Sequence, residues 1–532
     1  MLSNSNILKI SLFATGLSGI VAEYVLSTLA TYFLGNSVFQ WTMILSTMLF
    51  SMGLGSRISQ YFNKNLLESF ITIEFILSLL VSFCAVLAYQ SSAYASQNYF
   101  TGDEAIMGIH YFPYDGVVIY ALSVLIGIMI GMEIPLVTRL NESYETLQVN
   151  IANVMEKDYY GSLAGGIFFA FIGLPYFGLT YTPFILGSIN FFVASWLLWI
   201  LWRQVNEAGK KTLLPFALST LLAIGLGTVF AKDIINKGEQ KKYQDHIIYQ
   251  EQTPYQRIVL TEWKGNYWFY LNGNLQLSSF DEWMYHEPLV HPAMELAQEA
   301  QHVLVLGGGD GCAVREVLKY PTVRKVTMVD LDPAVTRLAQ EHYAFLSMNK
   351  GALKDERVEI INADAFSYME KTEKYYDAII VDFPDPKSIE LGRLYSQEFY
   401  RICYNHLRPR GVFITQAGSP YYATKAFRCI EKTIGAAGFH TLPMHNQVLS
   451  MGEWGWVLGH KKLPSEKLKP LLRSFDYEEV EVQWINREAM SLITSFGRDL
   501  VPLDTADIEV NRIHEPVLPK YYRKGNWDFF AY

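Results

Sequence analysis

The chain has 532 residues, half of them hydrophobic, with 52 Asp and Glu against 43 Lys and Arg and a formal net charge of −9. That length exceeds one ordinary domain and implies two or three, and the acidic balance argues against a nucleic-acid binder, which would present a basic face. The four cysteines, Cys84, Cys312, Cys403 and Cys429, fall in no C-x-x-C or Cys/His pattern, which argues against a disulfide framework or a zinc site.

The hydrophobic excess sits in the first 231 residues. Apolar runs near 8–34, 38–62, 66–90, 115–139, 158–177, 181–202 and 212–231 predict about seven helices, each long enough to cross ~30 Å of hydrocarbon. Residues 1–231 are therefore expected to form a multi-pass transmembrane domain. The first run is not expected to be a cleavable signal peptide, because further spans follow it. Trp41, Trp196, Trp199 and Trp202, with Tyr89 and Tyr120, sit near run ends as interfacial aromatics do. Arg57 and Lys64, then Arg139 and Lys157, then Arg203, Lys210 and Lys211 mark alternate loops that the positive-inside rule assigns to the cytoplasm. The loop 91–114 carries no Lys or Arg and is assigned outside. Lys232, Lys237, Lys241 and Lys242 make the far flank of the last run basic as well, so charge alone leaves the side of the following domain open.

Glu23, Glu74 and Glu133 fall inside the apolar runs. Intramembrane acids mark cation or proton paths, or they hydrogen-bond between helices, and both readings stand at this point. Gly161 and Gly165 have the small-x-x-x-small spacing of a close helix contact.

Lys232 to Asp245 reads as a charged linker, followed to residue 283 by a small β subdomain of short alternating runs, with Asn272-Gly273 as a hairpin turn. Strands are then expected at 302–306, 325–329, 357–361, 376–381, 411–415 and 454–459, with helices between most of them. This pattern suits a mostly parallel sheet covered by helices. The tail 466–532 is polar and aromatic without a clear core period and is expected to act as a C-terminal lid or docking segment.

Val303 to Leu306 runs into Gly307-Gly308-Gly309-Asp310-Gly311 and a helix-like segment from Cys312. Strand, glycine turn and helix start together make a nucleotide-binding unit, with glycines letting the backbone approach a ligand. Asp330 ends the next strand, where such folds set a carboxylate on ribose hydroxyls. Cys312 occupies the third glycine position of a dinucleotide loop, and Asp310 inside the loop looks like the pattern of enzymes that bind S-adenosylmethionine or a derivative. Asp310, Asp330, Asp364, Asp382 and Asp385 gather at four strand ends, the ligand edge of such a sheet. Acids there can accept from a nucleoside, balance a sulfonium or take a proton from an amine.

Five motifs then occur in order: Thr253-Pro-Tyr-Gln256, Leu271-Asn-Gly-Asn-Leu-Gln276, Asp281-Glu-x-x-Tyr285-His286-Glu287-x-Leu-x-His291-Pro292, the glycine loop, and Asp382-Phe-Pro-Asp385-Pro386. On these the chain resembles the spermidine synthase (polyamine aminopropyltransferase) family, in its bacterial branch with an N-terminal membrane domain. The resemblance implies an α-helical membrane domain, a small β-strand subdomain at 232–283, a Rossmann-like, methyltransferase-type α/β catalytic domain at 284–465, and a C-terminal extension. It implies transfer of an aminopropyl group from decarboxylated S-adenosylmethionine, a co-substrate, to an amine, with no metal or cofactor, because the sulfonium is already a good leaving group. By resemblance Asp382 is the base, and Asp310 and Asp385 hold cationic nitrogens beside Tyr285 and His286. Gln256 and Asp330, with the loop glycines Gly307 and Gly309, serve the ribose side of the nucleoside, and Asp364-Ala365 its adenine. A homodimer, an inner-membrane location and a cytoplasmic catalytic domain follow as expectations, the last because the donor is a cytosolic metabolite.

The chain departs from the family pattern in several places. Lys387 to Ser396 replaces the usual small residues after Asp385-Pro386 and brings Lys387 and Arg393 near the mouth. Asn272 stands for the usual aspartate, and Glu453 and Trp454 lie where a late Tyr-Pro lines the amine tunnel. Putrescine is the expected acceptor, with a longer polyamine or a membrane-associated amine open. The competing readings are a methyltransferase using intact S-adenosylmethionine and a membrane polyamine transporter or sensor with a binding-only α/β domain.

Overall fold

The computed structural model describes residues 4–34, 37–101, 114–142, 144–477, 480–497 and 506–526. Residues 102–113 of the expected loop 91–114 and parts of the C-terminal tail lie outside them, and the loop's first part is helical through Thr101. The chain divides into two compact units, Met1–Ile247 and Ile248–Tyr532.

The first unit is helical: α1 (Asn4–Leu34), α2 (Ser37–Ile58), α3 (Leu66–Thr101), α4 (Tyr114–Asn141), α5 (Leu147–Phe168), α6 (Gly178–Ile200) and α7 (Glu207–Gln240). α1 is central and packs against each of α2 to α6. Gly161 and Gly165 allow this on the α5 side, because a Cβ there would lie 2.1 Å from the Phe13 carbonyl oxygen and 2.4 Å from that of Leu17. Large apolar side chains such as Phe50, Phe171, Trp199 and Val229 point outward and stay exposed.

Among the described residues six helical stretches are long and apolar enough to cross a membrane, against the seven expected. The difference lies in Leu147–Ile200, counted as one stretch of 54 residues, because a π-helical segment, Phe169–Phe177, joins α5 to α6 without a loop. A straight helix of that length would run about 80 Å. It does not run straight. Gly178 has φ +63°, and the Thr182 hydroxyl donates to the Gly173 carbonyl at 2.8 Å. Gly165 abuts Leu17 while Asn190 donates to the Ser18 hydroxyl, so both limbs meet α1 at one level. The linker expected at Lys232–Asp245 is also helical through Gln240, because Ala231 and Ile235, one turn apart, remain buried.

The second unit opens with an antiparallel sheet, β1 (His246–Gln252), β2 (Arg257–Trp263), β3 (Asn266–Leu271) and β4 (Asn274–Ser278). The β3–β4 turn falls at Asn272-Gly273, both with positive φ as a tight hairpin requires. The main sheet holds β5 (His302–Gly307), β6 (Lys325–Asp330), β7 (Val358–Asn362), β8 (Tyr376–Asp382), β9 (Leu407–Gly418), β10 (His440–Val448) and β11 (Gly452–His460) in the order β10-β11-β9-β8-β5-β6-β7. β7, β6, β5, β8 and β9 run parallel, and β11 and β10 are antiparallel additions. Strand β5 is buried on both faces from Val303 to Leu306, which explains its unbroken aliphatic run. The expectations omitted β10, whose edge position accommodates Pro443.

The tail after β11 is folded onto this unit. Leu468, Leu472, Tyr477, Ile485, Met490 and Ile493 belong to its hydrophobic core, and the short helix Leu518–Arg523 packs near the end of β9.

Candidate active site

The site grows from the parallel pairing of β5 with β8. Their register sets Gly307 beside Asp382, and a Cβ on Gly307 would lie 2.1 Å from the Asp382 carbonyl oxygen. Only glycine permits that approach, at φ +80°. Gly308 then donates its N–H to the same carbonyl at 3.2 Å. Gly309 donates to Asp330 at the end of β6 at 3.1 Å, and a Cβ there would strike that carboxylate at 2.6 Å. The loop thus fixes two strand-end acids through glycine backbone.

Asp382, Asp310 and His286 face one another. The imidazole Nε2 lies 3.9 Å from both Asp310 Oδ1 and Asp382 Oδ2. Tyr285 donates to Asp382 Oδ1 at 2.6 Å, and the Cys312 N–H donates to Asp310 Oδ1 at 2.8 Å, fixing that side chain at the start of α9 (Cys312–Leu318). Tyr285 and His286 come from α8 (Trp283–Ala297), where the Tyr285 ring packs against Trp456 at 5.4 Å between centroids.

The buried His286 ring is held from behind. Its Nδ1 lies 2.8 Å from both the carbonyl and a carboxylate oxygen of Glu282, which also takes two bonds from Arg315 at 2.6 and 3.0 Å. Burial pushes the imidazole pKa down, but Glu282, Asp310 and Asp382 outweigh it and bring the value to about 9. His286 is therefore an imidazolium at neutral pH. Burial raises the Asp382 carboxyl, His286 opposes it, Asp310 adds to it and Tyr285 lowers it, for a value of about 6. Asp330 is likewise lifted by burial to about 6, against the hydrogen bonds from the Asp332 and Gly309 backbone.

Asp385, three residues beyond Asp382, accepts from Tyr522 at 2.5 Å through Oδ2, while its buried Oδ1 has no hydrogen-bond partner among the described residues. Lys387 Nζ stands 3.9 Å from Asp385 Oδ2 and donates to Asn274 at 2.7 Å. Burial raises the Asp385 carboxyl, and Lys387, Tyr522 and Gln416 pull it back.

The nucleoside-side residues are more widely distributed. Gln256 donates to Asp332 at 3.0 Å rather than to Asp330, and Thr253 joins it on the same oxygen at 2.7 Å. Asp364 accepts from the Ser367 N–H at 2.9 Å and ion-pairs with Arg393, and Ala365 beside it is buried. Glu453 pairs with His445, and the Trp454 ring lies 6.5 Å from that of Tyr285. His291 bonds Glu316 at 2.7 Å and Tyr320 at 2.9 Å, a structural pairing.

Sequence reasoning missed three contributors. Glu282 was visible as the i−4 neighbour of His286 on a helix. Arg315 was visible only as a basic residue in the first turn after the glycine loop. Tyr522 had no local signal, because its partner lies 137 residues away.

A family profile for the spermine/spermidine synthase domain matches residues 282–468. The chain is 40% identical to polyamine aminopropyltransferase 2 of Aquifex aeolicus over 98% of this chain and 99% of that one. It is 37% identical to the polyamine aminopropyltransferase of Oceanobacillus iheyensis, over 96% and 95% of the two chains. The chain belongs to the polyamine aminopropyltransferase family. A crystal structure of spermidine synthase with the transition-state analogue AdoDATO aligns with a TM-score of 0.43 and 30% identity, over 47% of this chain and 86% of that one. The aminopropyltransferase match extends through the helical unit as well, since it spans nearly the whole chain.

Proposed function

We propose that this aminopropyltransferase moves the aminopropyl group of decarboxylated S-adenosylmethionine to putrescine, giving spermidine and 5′-methylthioadenosine. The observation that carries the reading is the pair of carboxylates Asp310 and Asp382 facing a buried imidazolium at the ends of adjacent strands, with the buried Asp385 three residues beyond Asp382. Such a pocket suits polycations. The acceptor nitrogen attacks the aminopropyl carbon attached to sulfur, the C–S bond breaks, its electron pair neutralises the sulfonium, and the nitrogen's proton leaves to a base.

The attacking amine must be neutral, which for an ammonium of pKa near 10 costs about 3–4 kcal/mol at pH 7.5. Asp382 is the base in this reading: ionised at that pH, raised enough to accept a proton, and held in place by Tyr285. Asp310 takes the donor's ammonium, and the free Oδ1 of Asp385 takes the far ammonium of the acceptor. Asp330, Gln256, Gly307, Gly309, Asp364 and Ala365 form the nucleoside side. The same reading embeds the helical unit in a lipid bilayer, which the six apolar stretches and the outward-facing Phe, Trp and Val side chains support. The inner membrane, a cytoplasmic catalytic unit and a homo-oligomer belong to it too.

The test is product formation. Detergent-purified protein given the decarboxylated donor and putrescine is expected to release methylthioadenosine stoichiometrically with spermidine, and Asp382→Asn to abolish both. Absence of transfer to any di- or polyamine, or methylated amines from intact S-adenosylmethionine, would overturn the reading.

A further inference from the structure

We infer that the helical unit carries a binding site of its own for a primary ammonium group, built around Glu133, Glu74 and Asp158. Five helices bring polar groups to one level. Thr15 of α1 lies 3.3 Å from Glu74 of α3, and three residues on, Ser18 accepts from Asn190 of α6 at 2.7 Å. Between them Gly16 abuts Asp158 of α5, where a Cβ would lie 3.0 Å from the carboxylate. Gly19 abuts Ile130, one turn before Glu133 of α4. One turn beyond Glu74, Ser78 donates to the Gly187 carbonyl, one turn before Asn190. The groups acting on Glu133 are the carboxylates of Glu74 and Asp158 and the Thr15 hydroxyl that also reaches Glu74.

This cluster has acceptors and negative charge in excess and donors in deficit. Glu74 and Glu133 are 0% and 1% exposed, yet among the described residues neither oxygen of Glu133 has a partner at hydrogen-bond distance, nor has Oδ1 of the equally buried Asn190. Among the described residues no lysine, arginine or histidine pairs with any of the three acids. Lys9 is committed to Glu145, Lys157 to Glu156, and Arg139 to the carbonyls of Ser59 and Phe62. A buried carboxylate without a cation is costly, so each acid either holds a proton or takes a bound cation, and an arriving cation is stabilised by displacing that proton.

The chemistry selects the ligand. An ammonium brings one positive charge and three donors and no acceptor, the complement of what the cluster lacks. A compact metal shell fits less well: among the described residues, sets of three His, Cys, Asp or Glu atoms within 4.8 Å of one another occur only in the second unit. Dispersed acids match a chain of ammonium groups separated by methylenes. The choice of putrescine or spermidine as probe rests on the proposed reaction, whereas the site rests on the helices alone.

The experiment uses the full chain in lipid nanodiscs, with equilibrium dialysis of labelled putrescine and labelled spermidine and no aminopropyl donor. The wild type is expected to bind two amines per chain. Glu133→Gln and Glu74→Gln are each expected to lose one of them and to keep the wild-type transfer rate, while Asp385→Asn loses the other. Asn190→Asp, which adds a carboxylate at the same level, is expected to tighten the remaining amine in the Asp385→Asn background. Stoichiometry unchanged in Glu133→Gln and Glu74→Gln, an unaltered affinity in Asn190→Asp, or a bundle that takes up protons or sodium but no amine would overturn the inference. If the wild type shows no transfer but retains a Glu133-dependent amine site, only the proposed reaction falls.

Discussion

The two units of this protein both bury acids, and they stabilise them in opposite ways. In the second unit every acid of the cluster has an assigned donor: Tyr285 for Asp382, the Cys312 N–H for Asp310, Tyr522 for Asp385. An internal cation, His286, faces Asp310 and Asp382, backed by Glu282 and Arg315. In the first unit, among the described residues, no donor lies at hydrogen-bond distance from Glu133 and no lysine, arginine or histidine pairs with the three acids. The comparison separates a pocket whose acids are oriented by donors and by a cation of its own before substrate arrives, with negative charge left over for a polycation, from one whose acids await a ligand. A pre-organised pocket can be tuned for proton transfer, because each pKa is set by neighbours that do not leave.

The largest expected effect is at Asp382. Asp382→Asn preserves shape and the Tyr285 contact but removes the base, and kcat is expected to fall by about 10²–10⁴-fold, read by methylthioadenosine release. A fall of less than tenfold would mean that the acids of this unit only hold charge, and the contrast with the bundle would collapse.

Glu282→Gln comes next, and it sharpens the contrast because Glu282 touches no substrate in this reading. Glu282 holds His286 as an imidazolium, and His286 in turn lowers Asp382. In the wild type kcat/KM is expected to fall below about pH 6, as Asp382 is protonated, and above about pH 9, as His286 loses its proton. Without the Glu282 charge the His286 value drops and the Asp382 value rises, so the active window narrows from both sides. Stability follows the same sign. The His286 contribution is fully present below its ordinary value of 6.5 and is lost as pH rises through about 9. Glu282→Gln is therefore expected to lower the melting temperature at pH 7 more than at pH 10. A parallel loss of activity at all pH values, with the limbs unmoved, would assign Glu282 to packing alone.

These particulars show which features were legible in the sequence. The glycine loop, the β5 and β6 strands and the Asn272-Gly273 hairpin are local, and each is written in consecutive residues with one physical reason. Strand β10 is an edge strand that carries Pro443 and two histidines, so it shows no clear alternation. The fold-back at Gly178 was visible as a break in hydrophobicity, but the continuous helical hydrogen bonding across Phe169–Phe177 was not. Gln256 illustrates a second kind of miss. The motif that contains it was plain, yet its amide is held by Asp332, a helix-capping residue two positions past the acid assigned to the ribose.

Tyr522 is the far end of that scale, and its variant should give the smallest effect. The tail contributes a hydroxyl to Asp385 from beyond the family-matched segment, and the neighbouring Gly418, at φ +68°, lies 3.6 Å from the Tyr522 ring through its virtual Cβ. Tyr522→Phe leaves Asp385 with one partner fewer and raises its already elevated pKa further. An arriving ammonium must then bind a carboxylate that is less ionised and less well aimed. One net hydrogen bond of about 1 kcal/mol predicts a three- to tenfold rise in the KM for putrescine, with kcat within about twofold. The loss should vanish in an Asp385→Asn background, because the hydroxyl then has no carboxylate to orient. A Tyr522→Phe effect that persists there would mean the tail acts by packing, whereas its disappearance ties acceptor recognition to a residue beyond the synthase-domain segment 282–468.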